Sequence, residues 1–210
     1  MGICYLVGAG DCTERITPTV RDFVIAADGG LGHLARMGVR PQLAVGDFDS
    51  GDMPADIPVI RHPAVKDDTD MMLALREGEA RGYTEFYLFG GMSGARLDHT
   101  VANIQLMLYA AERGLYVTAF LGDQRTRVLR NGEKWTLPAT ACGYFSVFAL
   151  GGASEGVTVT GAKYPLENAT LTPNIALGVS NEPLCPPVSV SCRTGHLLVV
   201  WQERGEENEK

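Results

Sequence analysis

The sequence predicts an α/β fold: an N-terminal, largely parallel sheet with flanking helices, followed by a small antiparallel β-sandwich domain. Three observations carry that expectation. Before about position 122, short apolar runs ending in glycine alternate with segments of helical period. Beyond it, short β-branched and aromatic runs are separated by Gly, Pro and Asn, and no helical pattern appears. Eleven of the twelve Asp residues lie before position 100, whereas both Trp residues, Trp135 and Trp201, come later.

In the first half, Ile3 to Val7 is an apolar run that ends at Gly8-Ala9-Gly10, and Phe23 to Ala27 is another that ends at Asp28-Gly29-Gly30. Leu31 to Met37 has helical character and is stopped by Gly38. Leu43 to Val45 is a third strand, ending at Gly46-Asp47. Asp70 to Arg81 is predicted helical, with Gly82 closing it at the position that favours a left-handed backbone. Phe86 to Phe89 is a strand ended by Gly90-Gly91. Asp98 to Arg113 is the clearest helix, with Val101, Ile104, Leu108 and Ala111 as its apolar stripe and Gly114 as its stop. Tyr116 to Leu121 is again a strand. The later runs Tyr144 to Leu150, Val157 to Thr160, Val188 to Cys192 and Leu197 to Trp201 read as separate antiparallel strands. The expected domains are 1–122 and 132–203, joined through residues 122–131.

The chain has 210 residues and a formal net charge of −7, which disfavours nucleic acid as a partner. No apolar run is long enough to span a bilayer. The five cysteines include no C-x-x-C pair and no leader is visible, so reduced thiols and a cytoplasmic location are expected.

Four segments could carry chemistry. Gly46-Asp47-Phe48-Asp49-Ser50 follows a strand. An extended backbone there would put Asp47 and Asp49 on one side, with Cα atoms about 6–7 Å apart. Two such carboxylates can share a hard cation, and a polar turn is the plainer alternative. Lys66-Asp67-Asp68-Thr69-Asp70 precedes a helix, where one Asp or Thr suffices as cap. Three crowded carboxylates repel unless a cation intervenes, and Lys66 can hold a phosphate as a point charge. Gly90-Gly91-Met92-Ser93-Gly94-Ala95-Arg96-Leu97-Asp98-His99 joins a strand to a helix. Its glycines allow backbone N–H groups to approach an anion, and Arg96 can grip phosphate oxygens. Ala27-Asp28-Gly29-Gly30 is the fourth acidic strand end. Four such ends on one sheet argue together for polyphosphate and metal. No Walker-type glycine loop is present.

These residues resemble the thiamine pyrophosphokinase family. Ala27-Asp28-Gly29-Gly30 is similar to its A-D-G-G turn, and Gly46 to Ser50 to its G-D-x-D-S motif. Lys66 to Asp70 is similar to K-D-x-T-D, and Arg96 to His99 to R-x-D-H. Leu171-Thr172-Pro173 and Gly178-Val179-Ser180-Asn181-Glu182 resemble its L-T-P and G-x-S-N-E segments. Two departures stand out: Ala95 where the family usually has Gly, and Asn174 to Leu177 in place of a segment richer in Gly and Arg.

The resemblance implies an α/β catalytic domain, a β-sandwich domain for thiamine, ATP with Mg2+, and a homodimer with its active site at the subunit interface. It implies transfer of pyrophosphate from ATP to thiamine, by attack of the thiamine hydroxyl on the β-phosphorus with AMP leaving. Asp47, Asp49 and Asp70 are the expected metal ligands. Asp28, Lys66 and Arg96 would steady phosphates, with Gly29, Gly30, Asp67, Thr69, Gly94 and His99 in the same site. Asp98 is a candidate to orient or deprotonate the hydroxyl, with helix capping as its other role. Ser180 and Asn181 are expected beside thiamine. Trp135 or Trp201 could stack on a thiamine ring or simply pack in the β core. A metal-dependent nucleotide phosphohydrolase and a non-catalytic thiamine or nucleotide sensor are the alternative functions.

Overall fold

The computed structural model describes residues 2–48, 56–61 and 68–204. Asp49, Lys66 and Asp67 lie outside the described residues. The chain divides into two compact units, Met1–Met107 with Leu115–Gly122, and Leu108–Gly114 with Asp123–Lys210. Among the described residues there are three helices, and none is long and apolar enough to cross a membrane.

The first unit is an open parallel sheet. Its strands are β1 (Cys4–Val7), β2 (Phe23–Ala27), β3 (Leu43–Gly46), β4 (Val59–Arg61), β5 (Glu85–Phe89) and β6 (Tyr116–Leu121). In space they run β4-β3-β2-β1-β5-β6. Every pairing along that row is parallel. Strand β4 goes beyond the sequence expectation; three residues, Val59-Ile60-Arg61, give too little alternation to read.

All four residues of β1 are buried, as expected of a central strand covered on both faces. Alternation divides them. Tyr5 and Val7 join Val24, Ala26, Ala44 and Phe89 in a core that includes Leu34 of helix α1 (Gly30–Met37). Cys4 faces the other way, toward helix α2 (Asp70–Ala80): a Cβ on Gly78 of α2 would lie 2.9 Å from the Cys4 sulfur and 2.5 Å from the Phe86 ring. That close approach explains a glycine inside a helix. Burial pushes the Cys4 thiol up to about 12, so it stays protonated.

The helix ends follow their glycines. Gly38 takes φ 68° and closes α1, while Gly82 and Gly114 take φ 88° and 80° after α2 and helix α3 (Leu97–Glu112). The buried face of α3 differs in part from expectation. Of the expected stripe, Ala111 is buried and Ile104 and Leu108 are half-buried, but Val101 is 49% exposed; Asn103, Leu106, Met107 and Ala110 are the other buried residues, and Leu97 is 75% exposed. This helix has apolar residues on two stripes, and periodicity alone does not tell which one meets the sheet.

The second unit contains β7 (Gln124–Leu129), β8 (Lys134–Thr136), β9 (Ala141–Thr160), β10 (Leu166–Leu171), β11 (Gly178–Asn181), β12 (Ser189–Ser191) and β13 (Thr194–Glu203). The runs Tyr144 to Leu150 and Val157 to Thr160, expected as separate strands, belong to the one 20-residue strand β9. Gly143, Gly151 and Gly156 sit in it with positive φ, so glycines that read as turns act as bends inside a continuing strand. The first half of β9 pairs antiparallel with β11 and β13, and its second half with β10 and β12. Both halves feed one apolar core around Phe145, Val147, Val157, Val159, Leu197 and Trp201. Trp201 is buried there, and the Trp135 ring packs tilted against it at 4.8 Å between centroids. Core packing is thus the observed role of both tryptophans. All five cysteines are free.

Candidate active site

The row order places β1 beside β5, although three strands separate them in the chain. This is the switch point of the sheet. Chains leaving two adjacent strands in opposite directions open a crevice at their carboxyl ends. A cleft of about 350 Å³ lies there, lined by Gly8 to Asp11 after β1, Ala27 and Asp28 at the end of β2, Thr69 to Met71 at the start of α2, and residues between Gly90 and Asn103.

Glycine builds the floor. The Gly8 N–H donates to the Phe89 carbonyl at 2.8 Å, and the Gly10 N–H to the Gly90 carbonyl at 2.8 Å. The loops touch backbone to backbone. A Cβ on Gly8 would lie 2.7 Å from the Gly90 oxygen, and one on Gly10 would overlap the Ser93 carbonyl. The Ser93 hydroxyl donates to the Asp11 carbonyl at 3.2 Å. Gly30, the first residue of α1, has no room for a Cβ against the Val7 carbonyl. Asp28 holds a left-handed φ of 47° while its N–H donates to the Val45 carbonyl at 2.8 Å. Non-glycine residues are uncommon there, and such strain collects at ligand sites.

Asp28, Thr69, Asp70, Gly94, Arg96 and His99, all expected site residues, line this one cleft. Thr69 also caps α2, its Oγ1 accepting from the Met72 N–H at 3.2 Å. Gly29 stands at the N-cap position of α1. Asp98 lies in the first turn of α3 and pairs with Arg96 at 2.6 Å, both side chains well exposed. The Arg96 hydrogen bond, aided by its charge, holds the Asp98 carboxyl below its ordinary value. So paired, Asp98 is a weak base.

Asp47 follows β3 but does not line the cleft. Phe48 takes φ 53°, so the backbone leaves the extended form at that residue, and Asp49 lies outside the described residues. Among the described residues, no three acidic, His or Cys side chains form a ready cation cage. Asp11, Asp28 and Asp70 still offer hard oxygen donors around one space. Magnesium, which keeps waters and takes one or two carboxylates with substrate phosphates, fits such a set.

Ser180 and Asn181 belong to the second unit. Ser180 is exposed, with φ 57°, and its N–H donates to the Ser146 hydroxyl at 3.1 Å. Asn181 is buried. Its Oδ1 accepts from the N–H groups of Tyr164 and Glu182 at 3.0 and 2.9 Å, and its Nδ2 donates to the Tyr164 carbonyl at 2.7 Å. That amide pins backbone segments together.

Sequence reasoning passed over Gly8, Gly10, Asp11, Ser93 and Asn103 as site residues. Gly8-Ala9-Gly10 reads as an ordinary strand end, and only the strand order reveals that it meets Gly90. The signal was two glycine pairs, each ending an apolar strand.

A parallel sheet with a glycine-floored, carboxylate-bearing crevice at its switch point defines an α/β protein with a ligand crevice whose chemistry suits a phosphate group, here followed along the chain by an antiparallel β unit. Comparison with known proteins narrows that class. Residues 19–119 match the catalytic domain of thiamin pyrophosphokinase, and residues 134–197 match the vitamin B1 binding domain of the same enzyme. The chain belongs to the thiamine pyrophosphokinase family. A thiamine pyrophosphokinase of Bacillus subtilis is 28% identical over 183 residues, covering 84% of this chain and 85% of that one. The crystal structure of thiamin pyrophosphokinase from Geobacillus thermodenitrificans matches with a TM-score of 0.81 and 29% identity, over 97% of this chain and 99% of the other. The yeast enzyme shares the fold at a TM-score of 0.72 and 14% identity, over 96% and 86% of the two chains.

Proposed function

We propose that the chain transfers the pyrophosphoryl group of ATP to thiamine in the cleft at the β1–β5 switch point, giving thiamine diphosphate and AMP. The observation that carries this reading is the meeting of Asp28, Asp70, Arg96 and the glycine turns at residues 8–10 and 90–94 in one crevice of a chain that matches both family domains in order. Residues 1–122 would hold ATP and residues 132–203 thiamine.

The glycine turns would let backbone approach the phosphates, and Arg96 would grip their oxygens. Arg96 leaving Asp98 for phosphate would return basicity to Asp98 beside the attacking hydroxyl. Asp28 and Asp70, with Asp47 and Asp49 after β3, would hold Mg2+, which offsets phosphate charge when bound. Lys66, Asp67, Thr69 and His99 would complete the nucleotide site. Such transfer depends on positioning and charge neutralisation, with no covalent protein intermediate. The working form would be a cytoplasmic homodimer, the β half of one chain completing the site of the other. Exposed Tyr144, Tyr164, Ile175, Leu177, Val179 and Leu184 in the second unit support a buried role for that surface in an assembly.

Incubation with ATP, Mg2+ and thiamine tests the reaction. Equal amounts of AMP and thiamine diphosphate are expected. Stoichiometric ADP, or inorganic phosphate released without any need for thiamine, would overturn it.

A further inference from the structure

We propose that Asn103 is a positioning residue for the nucleotide: its amide holds the Gly90-Gly91 turn with its carbonyl oxygens engaged by protein donors and withheld from the ligand's phosphates. This rests on reading the cleft as the ATP site.

Asn103 lies on the buried face of α3 beside Leu106 and Met107 and is 5% exposed. Among the described residues of the first unit, it is the only buried Asn, Gln, Ser, Thr or charged side chain. A polar group on an apolar face costs free energy unless it is bonded, so a leucine would be the default there. The amide has a specific partner: Nδ2 donates to the Gly91 carbonyl at 2.7 Å. Gly91 is bare where the amide arrives, since a Cβ on it would come within 2.9 Å of that nitrogen. The preceding carbonyl, that of Gly90, accepts from the Gly10 N–H at 2.8 Å.

Two successive carbonyl oxygens at the turn are therefore bonded to the protein. This matters because a carbonyl oxygen carries partial negative charge. Facing the cleft, it would repel a polyphosphate. Gly90 has φ 60° and Gly94 φ 119°, so this stretch is built from residues free to rotate. The Asn103 amide and the Gly10 N–H fix what glycine leaves loose. Without the amide, the buried Gly91 oxygen loses its donor and is driven to find another or to turn toward solvent in the cleft.

The test compares wild type with Asn103→Ser, a neutral side chain too short to reach Gly91, and with Asn103→Ala, which removes the donor altogether. Neither adds charge to the cleft that Asn103 lines. Either variant carries the comparison alone if the other does not fold. Calorimetry reads the affinity for a non-hydrolysable ATP analogue with Mg2+, and steady-state kinetics read the two KM values. Analogue binding at least fivefold weaker, with ATP KM raised and thiamine KM within twofold, is expected in a folded variant. Analogue affinity within fivefold of wild type, or ATP and thiamine KM rising together, would reduce Asn103 to packing and overturn the proposal. A wild-type chain that does not bind the analogue would overturn it too. A wild type that binds the analogue yet makes no thiamine diphosphate defeats the assigned reaction and leaves the positioning role to be decided by the variants.

Discussion

The two units use polar residues in opposite ways. In the first, the cleft is made largely by backbone. Glycines at 8, 10, 90 and 91 let chain segments touch, and carboxylates such as Asp28 and Asp70 stand around the resulting space. In the second, the segment expected to meet thiamine holds its own polar side chain inward. The Asn181 amide makes three hydrogen bonds to backbone, while apolar Ile175, Leu177 and Val179 around it are exposed. A site motif in the first unit is thus available to a ligand, whereas in the second it first builds the surface.

That contrast can be broken at three places. The largest effect is expected at Asp70. Asp70→Asn should lower kcat by at least about 100-fold, on the scale of losing one charge-stabilising group in the transition state. Its stability should fall by no more than about 1 kcal/mol, because a first-turn acid contributes only that much. A thermal melt and a turnover assay check both; a collapse of stability with proportionate loss of activity would put Asp70 among structural residues.

Asn181→Ala should do the reverse. It leaves part-buried Tyr164 and Glu182 backbone groups without these partners, and about 1–2 kcal/mol of stability should go. Urea unfolding measures this. Stability equal to wild type, with only thiamine KM raised, would return Asn181 to the role of direct ligand.

The smallest effect is expected at Thr69, where both uses meet. Thr69→Ala removes the cap on the Met72 N–H and should cost about 1 kcal/mol. If the hydroxyl only caps, ATP KM stays unchanged. A raised ATP KM would show that it also meets phosphate.

Element ends were readable in the sequence because they depend on local chemistry. Gly38, Gly82 and Gly114 stop their helices, and Thr69-Asp70 opens one, through conformations set by those residues alone. What escaped depends on partners. The exposed stripe of α3, with Leu97 and Val101, is as apolar as the buried stripe, so only the sheet decides between them. The glycines of β9 mark turns in isolation, yet pairing with β13 carries the strand through them. The extended backbone assumed after Asp47 is left at Phe48, a left-handed residue that its sequence does not mark. Gly8 and Gly10 looked unexceptional because their partner, Gly90, lies far along the chain.

The long strand β9 also orders events during synthesis. Its first half is flanked by β13, and β7 lies on the far side of β13, with Gln124 opposite Gln202 and Ala141 opposite Glu203. The ribosome therefore releases β7 and β9 well before the strand that joins them. Until residues near 203 have cleared the exit tunnel, two strand edges wait unpaired, a condition that favours non-native pairing. The first unit, whose last strand ends at Leu121, faces no such delay. A nascent chain stalled near residue 170 is expected to resist protease in its first part and to yield in its second.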